Sequence, residues 1–153
     1  MTVNLNDPCW QNAHLFLDPQ GRIEQLARIL QKYVPDDVQE EYLDAVVFIG
    51  PPYKTGASVI GAKHTKCKHI IVTAADLIPI VAGATCLDEH YIALAILHEL
   101  AHTSVPHDYP STKAEEDEAD AIALRWFNAS QSMEWTDADL LQLRLKYDGH
   151  WLR

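Results

Sequence analysis

The chain has 153 residues and a formal charge of −10, from 12 Lys and Arg against 22 Asp and Glu. Hydrophobic residues make up 48% and charged residues 22%, an ordinary globular mix rather than a disordered one. The acidic excess argues against nucleic acid, whose phosphates need a basic surface, and against anionic membranes. The length suits one domain over residues 1–153, large enough to build a core without staples.

Cys9, Cys67 and Cys86 are an odd set without CxxC spacing, which favours a reducing compartment over a disulfide framework. The opening residues include Asn4, Asn6, Asp7 and Pro8 and do not read as a basic-then-apolar leader. No apolar run approaches the roughly 18 residues of a membrane span. The expectation is therefore a cytoplasmic protein without a transmembrane segment.

Residues 1–17 carry scattered apolar side chains and leave room for a short helix. Asp18-Pro19 reads as a break. Ile23, Leu26, Ala27, Leu30 and Val34 follow the i, i+3, i+4 pattern, so the spacing predicts an amphipathic helix over 22–34, ended by Pro35-Asp36-Asp37. Residues 45–49 are a short apolar run bounded by Gly50-Pro51-Pro52 and predict a buried strand; 57–60 and 68–73 are two further strands. Lys66 and Lys68 alternate with Cys67 and His69, which predicts that the third is an edge strand with one wet face. The stretch 76–83 is apolar, interrupted by Pro79, and reads as neither helix nor strand.

Residues 88–103 give the clearest helix, apolar on nearly every side and therefore buried. Pro106 stops it by about Ser104 or Val105. Thr112-x-x-Glu115 is a capping box, so the next helix starts near Lys113 and runs to about Asn128, burying Ala119, Ile122, Ala123, Trp126 and Phe127. A last helix follows Thr136-Asp137 and reaches about Tyr147. The order of elements predicts an α+β fold, a small mixed sheet of about three strands packed on these helices.

The buried helix contains His98-Glu99-Leu100-Ala101-His102, an H-E-x-x-H run. Positions i and i+4 share a helix face one turn apart, so both imidazoles can reach one zinc ion at about 2.0–2.1 Å. Glu99 then sits beside the metal, placed to take a proton from its water. Two histidines and a glutamate in an apolar helix need partners, and the plain alternative is a pair of core histidines hydrogen-bonded to backbone.

A catalytic zinc needs a third protein ligand. Glu115-Glu116-Asp117-Glu118-Ala119-Asp120 supplies five carboxylates in six residues. At about 100° per residue from Ala119, Glu116 and Glu115 flank the buried stripe, while Asp117 and Glu118 point to solvent. Glu115 is already used by the capping box. Glu116 has Asp120 one turn on, where it can accept the outer N–H of a ligand histidine. Glu116 is the expected ligand, with Glu115 as the alternative.

HELAH followed by EDEAD resembles the H-E-x-x-H … E-x-x-A-D pattern of gluzincin-type zinc metallopeptidases, in the compact ImmA/IrrE-like or minigluzincin-like form. The resemblance is specific over 98–102 and 116–120 and covers about 57–127 in arrangement. It implies that His98, His102 and Glu116 bind zinc and that Glu99 is general base and acid. It also implies an edge strand that takes an extended peptide, a part that 68–73 could play. Metzincins are the nearest competitor, but Val105 stands where they need Gly and Asp108 at their last ligand position; Ser132-Met133-Glu134-Trp135 only faintly resembles a Met-turn. A SprT-like arrangement would use His107.

Tyr109, in the loop between the two metal helices, is the candidate donor to an oxyanion, with simple packing as its alternative and His107 as a weaker donor. His64, Cys67 and His69 form a poor second metal cluster, because strand alternation separates His64 from the other two. Cys9 is a candidate blocking thiolate. The expected function is hydrolysis of a protein or peptide substrate. The alternative is a catalytically silent zinc-binding domain that holds a protein partner.

Overall fold

The computed structural model describes residues 4–11, 15–16, 19–50, 58–60, 69–72, 77–79, 85, 87–105 and 110–147. In chain order these form α1 (Pro8–Gln11), β1 (Leu15–Phe16), α2 (Pro19–Tyr33), α3 (Asp36–Tyr42), a 3-10 turn (Leu43–Ala45), β2 (Val46–Gly50), β3 (Ser58–Ile60), β4 (His69–Val72), α4 (Glu89–Ser104), α5 (Lys113–Gln131) and α6 (Asp137–Lys146).

The described residues are mostly helical, which corrects the expected α+β class with a three-stranded sheet. The strands are only two to five residues long, and four of them pair, in the order β1-β2-β4-β3. β1, β2 and β4 run parallel, and β3 is antiparallel to β4. Helix takes more of the chain than the sequence predicted for two reasons. Proline is tolerated in a first helical turn, where its missing N–H has no partner to lose, so α2 begins at Pro19 rather than breaking there. Pro35 likewise caps a further helix, α3, whose first turn holds Asp36 and Asp37 at its positive end.

The expected edge strand is also corrected. β4 lies between β2 and β3: Ile70, Ile71 and Val72 pair on both sides, and His69 pairs with Val46 of β2. The lysine alternation that suggested a wet edge falls before the strand, at 66–68, outside the described residues. Among the described strands, β1 and β3 stand at the two ends of the order. On the core face, Phe48 and Ile71 stand opposite each other and both are fully buried.

α4 is the centre of the core. Every residue from Tyr91 to Ala101 is buried. Asp88 caps it, its carboxylate accepting from the His90 N–H at 2.8 Å. At the other end the Thr103 and Ser104 hydroxyls donate to the Leu100 and Ala101 carbonyls, and Val105 leaves in an extended conformation. α2, α3, α5, β3 and β4 pack around it. Gln39, buried on α3, donates to the Val34 carbonyl at 2.8 Å and so closes the end of α2. Glu89, in the first turn of α4, meets Arg28 at 2.5 Å, Lys32 at 2.9 Å and Tyr33 at 2.7 Å, all from α2.

α5 lies against α4 along its buried stripe of Ala119, Ile122, Ala123, Trp126 and Phe127. The capping box forms: the Thr112 hydroxyl accepts from the Glu115 N–H, and the Glu115 carboxylate accepts from the Thr112 N–H. No described helix is long and apolar enough to cross a membrane.

Candidate metal centre

The burial of α4 puts His98 and Glu99 in the core, at 3% and 4% exposure. The packing of α5 on α4 then brings Glu116 across from His98 and His102. Nε2 of His98 lies 3.1 Å from Nε2 of His102 and 3.0 Å from Oε2 of Glu116. Nε2 of His102 lies 3.3 Å from Oε1 of Glu116. Zinc bonds of about 2.0–2.1 Å in tetrahedral geometry put neighbouring ligand atoms roughly 3.3 Å apart. The three side chains therefore form a group close enough to hold one metal ion.

The donor set suits the metal chemically as well as geometrically. His98 Nδ1 sits 2.7 Å from Oδ1 of Asp120. With a metal bound, that contact would keep the ring proton on Nδ1 and leave Nε2, which faces His102 and Glu116, free to hold the ion. With both histidines neutral, as metal ligation requires, Glu99, Glu116 and Asp120 would set three carboxylates against one guanidinium, Arg144, an excess of two negative charges that a divalent cation would neutralise.

The electrostatics of the bare side chains point to the same demand for positive charge. Burial disfavours charge on His98, but hydrogen bonds to Asp120 and Glu116 and the nearby Glu99 charge outweigh it and push its pKa up to about 9. The hydrogen bond to His98, helped by one from Ser111, brings Glu116 down to about 2 against the opposing effect of burial. Burial also opposes ionisation of Asp120, yet Arg144 and His98 hold its carboxyl well below the usual carboxylate range.

The structure thus brings together four of the residues singled out in the sequence: His98, His102, Glu116 and Asp120. Glu99 follows His98 on the same buried turn. Glu115 turns the other way, its carboxylate closing the capping box, so Glu116 and not Glu115 meets the histidines. Tyr109 lies outside the described residues, as do His107 and Asp108. His64 and Cys67 also lie outside them, and of His69 only the backbone, in β4, is described. Cys9 is exposed on α1 and is not part of the metal group.

Two supporting residues were not expected from the sequence. The Ser111 hydroxyl donates to Oε1 of Glu116, just ahead of α5. Arg144, on α6, donates to both oxygens of Asp120, at 2.7 and 2.5 Å. A sequence signal for Arg144 existed: it falls four residues after Leu140 and three before Tyr147, on the buried face of α6, where a cation needs a partner.

The geometry also weighs against a metzincin-like site. Val105 is extended, so the chain does not make the glycine turn of that pattern. Met133 follows the C-terminal end of α5 and is 38% exposed, whereas Glu116 is in the first turn of that helix, about 28 Å long. No family model, curated protein or solved structure matches this chain.

Proposed function

We propose that the chain is a zinc-dependent metallopeptidase that cleaves protein or peptide substrates, with Glu99 as general base and acid. The observation that carries this reading is the convergence of His98, His102 and Glu116 at 3.0–3.3 Å beside the buried Glu99. The likeness of HELAH and EDEAD to the gluzincin pattern supports it. A zinc ion held there would polarise a peptide carbonyl and lower the pKa of a water towards 7.

The residues of the chain have separate parts. His98 and His102 would hold the ion through Nε2, and Glu116 through a carboxylate oxygen. Asp120 keeps the His98 proton on Nδ1, so that Nε2 remains a donor to the metal. Glu99 has no part in holding the ion, which favours catalysis over a purely structural role. It takes the proton of the attacking water as the new C–O bond forms. It returns that proton to the amine nitrogen as the C–N bond breaks. Tyr109 is proposed as the donor to the developing oxyanion. β3, at one end of the order of described strands, would be the place for an extended peptide to pair. A cytoplasmic location belongs to the same proposal.

Glu99→Gln tests it. The variant should retain zinc and lose hydrolysis of casein or a peptide library. Cleavage at the wild-type rate refutes the assigned role of Glu99. A wild-type chain that binds zinc and cleaves nothing supports the silent zinc-binding domain instead.

A further inference from the structure

We infer that Arg144 is a positioning residue of the metal centre, so that α6 helps to set the metal affinity. The inference rests on the metal-site reading above and extends it to an element without a ligand of its own. Arg144 uses two N–H groups of its guanidinium on one carboxylate, to Oδ2 of Asp120 at 2.7 Å and to Oδ1 at 2.5 Å. Such a fork fixes the plane of the carboxylate, which a single bond does not. Oδ1 then also accepts from His98 Nδ1 at 2.7 Å. The chain of contacts runs from Arg144 to Asp120 to His98, whose Nε2 faces His102 and Glu116.

Both partners of the fork are largely shielded from water, with side chains 18% and 15% exposed. Their attraction is therefore screened less than that of a surface pair.

The place of Arg144 is itself fixed by packing. Leu140 and Tyr147, about one turn to either side, are buried on the same face of α6. The Tyr147 hydroxyl accepts from the N–H of Asp88, the cap of α4, at 2.9 Å, and its ring lies 4.9 Å from that of Tyr91. α6 thus grips the start of α4 through Tyr147 and reaches its metal-binding histidine through Arg144. A plain interhelical salt bridge would join α5 to α6 as well. What sets this one apart is that the same carboxylate orients a ligand.

The test is zinc affinity, measured by competition with a chromophoric chelator for wild type, Arg144→Met, Arg144→Lys, Asp120→Asn and the Asp120→Asn/Arg144→Met double variant. Methionine keeps most of the aliphatic packing and removes the fork. Arg144→Met should bind zinc about 10–100-fold more weakly. Lysine, with a charge but no fork, should recover part of the loss. The double variant should bind no more weakly than Asp120→Asn, because Arg144 acts through Asp120.

A merely structural Arg144 gives a lowered melting temperature in chelator with unchanged zinc affinity, and that result overturns the inference. If Arg144→Met does not fold, Asp120→Asn/Arg144→Lys completes the cycle against the two single variants. No further loss beyond Asp120→Asn supports the inference, and additive losses overturn it. A wild-type chain that takes up no zinc refutes the metal centre itself. Wild-type binding with an unaltered Arg144→Met refutes the inference alone.

Discussion

Replacing Glu89 with glutamine should destabilise the fold by about 1–2 kcal/mol at neutral pH, and the loss should vanish in acid. Glu89 ties the first turn of α4 to α2 through Arg28 at 2.5 Å, Lys32 at 2.9 Å and the Tyr33 hydroxyl at 2.7 Å. Burial opposes its ionisation, but the Tyr33 and Lys32 hydrogen bonds and the Arg28 ion pair bring its pKa from 4.5 down to about 2. A drop of that size corresponds to roughly 3.4 kcal/mol as an upper bound. The carboxylate is 32% exposed, so solvent screens it, and exposed pairs contribute about 0.2–1 kcal/mol each. The lower figure follows.

The sign is fixed by the depressed pKa. The contribution is present above about pH 4.5 and is lost as pH falls towards about 2. Urea unfolding of both proteins in chelator, at pH 7 and near pH 2.5, measures the gap, and high salt at pH 7 should narrow it. A gap that is absent at pH 7, or unchanged in acid, refutes the reasoning. Zinc affinity should not change, because Glu89 lies two and a half turns before His98.

The two adjacent glutamates of α5 should separate cleanly. Glu116→Gln should lose most zinc affinity with the helix intact. Glu115→Ala should cost about 1 kcal/mol of stability by opening the capping box and keep its zinc, as unfolding and zinc titration of each will show. His98→Ala should lose zinc and also lower the melting temperature in chelator, because it removes one buried hydrogen-bond partner from each of Asp120 and Glu116. Unchanged zinc content in that variant would sink the site.

The candidate site was more legible in the sequence than the fold. The i, i+4 spacing of His98 and His102 and the angular argument for Glu116 depend only on helix geometry. So do the caps at Asp88, Thr112 and Thr136, which mark the starts of α4, α5 and α6. Prolines misled the reading elsewhere. Pro19 looked like a break, yet it opens α2, where a proline costs nothing; Pro35 does follow the end of α2, but it also caps α3, which the reading missed. The order of strands was hidden as well. β4 looked like an edge from the lysines before it, and only its pairing with β2 and β3 puts it inside the sheet. Arg144 is 24 residues from Asp120, beyond any local spacing rule, and only the packing of α6 joins them.

The most direct test of the account is zinc titration of the chelator-stripped chain, followed by elemental analysis after removal of free metal. The account predicts one tightly held equivalent per chain for wild type and for Glu99→Gln, and a large loss in His98→Ala, His102→Ala and Glu116→Gln. A wild-type chain that retains no zinc, or ligand variants that retain as much as wild type, contradicts it.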